Sequence, residues 1–154
     1  MRPLAGRHYS GWEWSAFGLA LIGFAVLAVT GFVPLIRGVR VGSWWLLVHA
    51  AGAPLFCTGM LLLVLTRAES CRPAARPTAA DPRFSGWHKL SFWLATALTV
   101  ALVLTALLTM TPWLGTDDQQ GLIATHRRCA WALVALAILQ IVRSVLERRS
   151  KSAR

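Results

Sequence analysis

Four stretches of this chain, residues 14–35, 44–65, 90–111 and 122–142, are too long and too apolar to belong to a water-soluble core. Each approaches or exceeds the roughly 20 residues that carry a helix across about 30 Å of hydrocarbon. Inside a bilayer a chain must satisfy its own backbone hydrogen bonds, so runs of this length are helical. Together they fill most of the 154 residues and leave no room for a separate soluble domain. The expected fold is an all-α membrane protein: a four-transmembrane-helix bundle forming a single membrane domain over residues 1–154, with a short basic C-terminal tail. The first block exceeds the roughly 7–15 apolar residues of a signal peptide. Gly31-Phe32-Val33-Pro34 is also not a small-residue cleavage site, so the block is expected to stay in the mature protein.

The formal net charge of +10 raises the question of nucleic acid, and the placement of the charges answers it. Arg2 and Arg7 precede the first helix. Arg67, Arg72, Arg76, Arg83 and Lys89 fall around the loop between helices two and three, and Arg143, Arg148, Arg149, Lys151 and Arg154 follow the fourth helix. Against these, the opposite side carries only Arg37, Arg40, Arg127 and Arg128, beside Asp117 and Asp118. Cytoplasmic loops collect Lys and Arg, so both termini are expected in the cytoplasm. The basic tail then reads as a topology signal near anionic lipid, with no nucleic-acid partner.

The remaining landmarks fit the same register. Trp12, Trp14, Trp87 and Trp93 mark one membrane interface and Trp44, Trp45 and Trp113 the other, the depth that indoles prefer. The short loops around residues 37–43 and 114–120 imply antiparallel neighbours. The longer loop at 68–86 is rich in Pro, Ala and Arg and reads as irregular. Pro54 is a candidate kink in helix two. Gly18, Gly23, Gly31, Gly52 and Gly59 would let a helix or a flat ligand approach closely, and ordinary helix packing is the favoured explanation. Cys57, Cys71 and Cys129 match no zinc, iron–sulfur or covalent-haem spacing.

The residues that point to chemistry are His49 and His126. Each stands about five residues inside the start of its apolar block, and the two blocks start from the same side of the membrane. At 1.5 Å per residue that places both rings roughly 7–8 Å below the outer boundary. Ionisable groups at such depth are costly and mark functional sites. Two at matched depth suggest a shared ligand, and haem iron takes two axial imidazoles from opposite faces. Haem propionates need positive charge, which Arg127 and Arg128 directly after His126, or Arg37 and Arg40, would supply. The alternative for Arg127 and Arg128 is pairing with Asp117 and Asp118, or snorkelling to the outer surface. His8 reads as a solvated tail residue, and His88 as an interfacial one as readily as a ligand.

The stretch Gly86-Trp87-His88-Lys89-Leu90-Ser91-Phe92-Trp93, the apolar helix it opens, and His126 near the head of the next resemble the cytochrome b (gamma) subunits of membrane-bound formate dehydrogenases and the related nickel–iron hydrogenase cytochromes. Leu47-Val48-His49-Ala50-Ala51-Gly52 is similar to that family's His-Pro-x-x-Gly helix, without its proline. The likeness covers residues 44–145 well and helix one poorly. It implies an outer haem b held by His49 and His126. The family's inner haem uses a His in helix one and a second His on helix four, where this chain has Glu13, Trp14 and Phe17 in the one place and Gln140 in the other. The resemblance therefore implies a form that has kept one haem and lost the other. It also implies a quinone region near His88 and Gln140, an iron–sulfur or cytochrome c subunit on the outer face, other membrane subunits as partners, and location in a bacterial inner membrane. Gln140 is about 21 Å along the helix from His126, so quinone at the inner site would need either a second carrier or a different binding position.

Two other classes compete. A haem-free structural anchor would use both histidines for contacts between helices. A small transporter is disfavoured, because the helices carry almost no charge and no paired broken segments.

Overall fold

The computed structural model describes residues 11–38, 44–68, 71 and 86–152. All regular structure among them is helical: α1 spans Gly11–Ile36, α2 Trp44–Arg67, α3 Gly86–Thr109 and α4 Thr116–Ser152. Each is long and apolar enough to cross a membrane. Large side chains cover the outward surfaces, with Leu21, Ile22, Leu61, Leu107 and Ile141 each more than half exposed. Such a surface would be an aggregation liability in water and is the ordinary solvent-facing surface in lipid. The chain is a multi-pass membrane protein. Arg40, most of the loop between helices two and three, His8 and the N-terminal arginines lie outside the described residues.

Contacts cluster into two compact units, Met1–Ser70 and Cys71–Arg154. The first contains the α1–α2 hairpin and the second the α3–α4 hairpin.

In the first hairpin, small residues set the packing. Ala16 and Ala20 of α1 are buried together with Leu63 of α2. Further along, a Cβ on Gly23 would lie 2.6 Å from the Phe56 Cα, and one on Gly59 would lie 2.7 Å from the Ala20 Cα. Both neighbours are backbone, which cannot swing aside. A Cβ on Gly52 would meet the Val26 side chain at 2.8 Å. Each step down α1 is thus answered by a step up α2, giving an antiparallel seam of close backbone approach. Van der Waals contact of this kind is what associates helices where lipid is as apolar as leucine. The helix α1 closes on Arg37 and Gly38, whose N–H groups donate to the Val33 and Leu35 carbonyls at 3.1 and 3.2 Å. Gly38 takes a φ of +65°, the left-handed cap that glycine adopts without a Cβ penalty. The helix α2 runs unbroken through Pro54.

In the second hairpin, α3 buries Lys89 and three hydroxyl side chains. Ser91, Thr99 and Thr105 are all buried. Thr99 and Thr105 donate to the carbonyl four residues back, each at 2.8 Å, and Ser91 to the His88 carbonyl at 3.1 Å. Such back-bonding satisfies a hydroxyl within its own helix. Leu133 and Leu136 are the buried side chains of α4. At the start of α3 the Trp93 indole donates to the Cys71 carbonyl at 2.8 Å. The Arg143 guanidinium stands 5.2 Å from the Trp87 ring centroid, near enough for a cation–π contact. That contact brings the first turn of α3 to the level of the α4 segment just beyond Gln140.

The helix α4 is longer than its apolar block at both ends. It begins at Thr116, with Asp117 and Asp118 in its first turn, where carboxylates favour the helix dipole. It continues past the apolar residues through Glu147, Arg148 and Arg149. Hydropathy locates the membrane, while helical hydrogen bonding continues into the polar flanks.

Candidate functional site

Thr30 of α1 is buried and faces α2. Its Oγ1 lies 2.6 Å from the Val26 carbonyl and 2.8 Å from the His49 Nδ1. A hydroxyl has one proton, and a carbonyl can only accept. The 2.6 Å contact favours donation to Val26, in which case the hydroxyl accepts from His49 and the ring proton sits on Nδ1. The lone pair of the neutral imidazole is then on Nε2. Gly31, next in the chain, would place a Cβ 3.4 Å from the His49 Cε1, so its lack of a side chain keeps the helix surface open beside the ring.

The second hairpin repeats the arrangement. Thr105 Oγ1 lies 2.8 Å from the Ala101 carbonyl and 2.9 Å from the His126 Nδ1. The same nitrogen is 3.2 Å from the Leu102 carbonyl. That carbonyl alone requires a proton on Nδ1, and again the lone pair belongs to Nε2. Metal-ligating histidines characteristically donate their second ring N–H to an oxygen of the protein, which fixes tautomer and orientation.

His49 sits in the second turn of α2, whereas His126 lies about 15 Å along α4 from its start, because α4 begins in the polar segment before the apolar block. The likeness between the two is in their hairpins. Each ring stands opposite a threonine in the last two turns of the preceding helix.

The other candidates are dispersed. Arg127 and Arg128 are exposed, and neither pairs with Asp117 or Asp118 among the described residues. The ion pair on this helix is Arg143 with Glu147, at 3.6 Å. His88 and Gln140 are both half-buried and belong to the end of the hairpin remote from His126. Next to His88 in the chain, the buried Trp87 indole N–H has no acceptor among the described residues. Among those residues no group of three or more His, Cys, Asp or Glu side chains converges. A porphyrin supplies four nitrogens of its own and asks only axial ligands of a protein.

Thr30 and Thr105 escape a reading based on hydropathy and titratable groups, since a threonine in an apolar helix looks like filler. A signal was present nevertheless. The register that lays Ser10-Gly11-Trp12 on Ser85-Gly86-Trp87 also lays Phe17 on Phe92, Leu19 on Leu94, Ala20 on Ala95, Leu27 on Leu102 and Thr30 on Thr105, without a gap. The helices begin at the matching glycines, Gly11 and Gly86.

Comparison with protein-family models, with curated proteins and with solved structures returned no match.

Proposed function

We propose that this chain is a b-type cytochrome membrane subunit that binds one haem b through His49 and His126 and passes electrons between quinone or quinol and a partner redox subunit. One observation carries the reading: two histidines on apolar helices each bring Nδ1 to a threonine hydroxyl of the preceding helix, the anchoring through one ring nitrogen that is characteristic of metal-ligating imidazoles. When bound, haem supplies one-electron carriage. The chain supplies ligation, a low-dielectric setting and ring orientation. Arg127 and Arg128 are the proposed propionate partners. The buried Trp87 donor supports a residual quinone contact near His88 and Gln140. The partners proposed are an iron–sulfur or cytochrome c subunit on the outer face and other membrane subunits. The charge asymmetry supports a bacterial cytoplasmic membrane with both termini inside.

The test is a reduced-minus-oxidised visible spectrum of the purified protein with a pyridine haemochrome assay. One b-type haem per chain, lost in His49→Leu and in His126→Leu, supports the reading. Colourless protein within its intact complex sinks it.

The threonine–histidine bonds also favour a second reading, a haem-free anchor in which the rings fasten helix to helix. That reading expects both histidine variants to assemble normally and the wild type to carry no chromophore.

A further inference from the structure

We infer that Thr30 is the positioning residue for the His49 imidazole and that Thr105, together with the Leu102 carbonyl, positions His126, each holding its ring's Nδ1 toward the preceding helix and so tuning the iron. The inference rests on the haem reading and adds to it which residues set the ligand's electronics.

Three observations converge. In each hairpin the threonine hydroxyl spends its single proton on its own helix, at 2.6 Å to Val26 and 2.8 Å to Ala101. Only its lone pairs then face the ring nitrogen, at 2.8 and 2.9 Å. With its proton so placed, the hydroxyl is the acceptor for a ring N–H. Thr30 and Thr105 are also buried. Finally, the two threonines occupy equivalent places in the α1 and α3 repeat, so the device occurs twice in one chain. A helix offers few other acceptors laterally, because its carbonyls point along its axis into their own hydrogen bonds. A back-bonded threonine instead offers its hydroxyl oxygen as an outward-facing acceptor.

The chemical consequence has a sign. An acceptor on Nδ1–H increases electron density at Nε2 and makes the imidazole a stronger donor. A stronger donor favours ferric over ferrous iron and lowers the reduction potential. Removing the acceptor raises it.

The experiment uses the full chain with the Thr30→Val and Thr30→Ser variants, in two readouts. The first is the 15N spectrum of histidine in haem-free protein, which distinguishes Nδ1–H from Nε2–H. The wild type is expected to show Nδ1–H at both rings, and Thr30→Val to show an Nε2–H population at His49 that Thr30→Ser removes. The second is the midpoint potential of the haem-loaded protein, expected to rise in Thr30→Val and to return in Thr30→Ser. An Nε2–H tautomer in the wild type overturns the inference without recourse to any variant. So does a Val variant with unchanged tautomer and potential. Absence of haem from the wild type is a separate result: it removes the haem reading, while the 15N spectrum still decides what the threonines do.

Discussion

The Nδ1 of His126 stands 2.9 Å from the Thr105 hydroxyl and 3.2 Å from the Leu102 carbonyl, whereas the Nδ1 of His49 meets the Thr30 hydroxyl at 2.8 Å. The α3–α4 hairpin therefore brings the Leu102 carbonyl to the same ring nitrogen as the Thr105 hydroxyl. Thr105→Val is expected to leave His126 largely as the Nδ1–H tautomer, with little rise in the potential of the proposed haem. A midpoint titration of the Thr105→Val protein checks this. A large rise would mean that the Leu102 carbonyl contributes nothing.

The glycine seam makes a prediction that is independent of any ligand. Gly23 and Gly59 face backbone atoms of the opposing helix, so Gly23→Val and Gly59→Val must push α1 and α2 apart. Overpacking of this kind costs about 1–3 kcal/mol, and more where the opposing atoms cannot rotate away. A Cβ on Gly18 would meet nothing within 4 Å, so Gly18→Ala should be neutral or slightly stabilising through helix propensity. Unfolding in mixed detergent, followed by circular dichroism, separates the three variants.

What the sequence made legible, and what it did not, divides along physical lines. Hydropathy over some 20 residues is a coarse signal, and it located the four helices of the described residues. The ends of α4 escaped it, because Asp117 and Glu147 end the apolar block without ending the helix. The threonine partners escaped it as well. Whether Thr30 meets His49 depends on how far α1 slides along α2, which is set by the contacts at Gly23 and Gly59. Such register is a property of surfaces in contact. The likeness of α1 to α3 was in the letters throughout, but conspicuous identities such as Gly11 with Gly86 acquire meaning only once Thr30 and Thr105 are seen to do the same thing.

The proposed topology, with both termini inside, can be read with thiol probes in a background lacking Cys57, Cys71 and Cys129. Trp113 is highly exposed in the turn between α3 and α4, and Ser152 is exposed at the end of α4. With both termini inside, Trp113→Cys is expected to react with an impermeant maleimide on intact cells, and Ser152→Cys only after lysis. The reverse pattern would invert the orientation and move His49 and His126 to the cytoplasmic half of the membrane.

A final prediction tests the proposed single-haem reading at Gln140. Gln140→His adds an imidazole to α4 at that position. The helix α1 carries no histidine, with Glu13, Trp14 and Phe17 near its start. The Gln140 side chain is only half-buried, and the nearby back-bonded hydroxyl of Ser144 uses its proton on the Gln140 carbonyl at 2.8 Å on an exposed face. An imidazole at 140 would thus stand on a half-buried face with no second histidine offered by α1. The pyridine haemochrome ratio is expected to remain one haem per chain in Gln140→His, with the potential of that haem unchanged. Two haems in the variant would mean that ligation at the second site needs no more than one histidine from this chain, and that a neighbouring subunit provides the other.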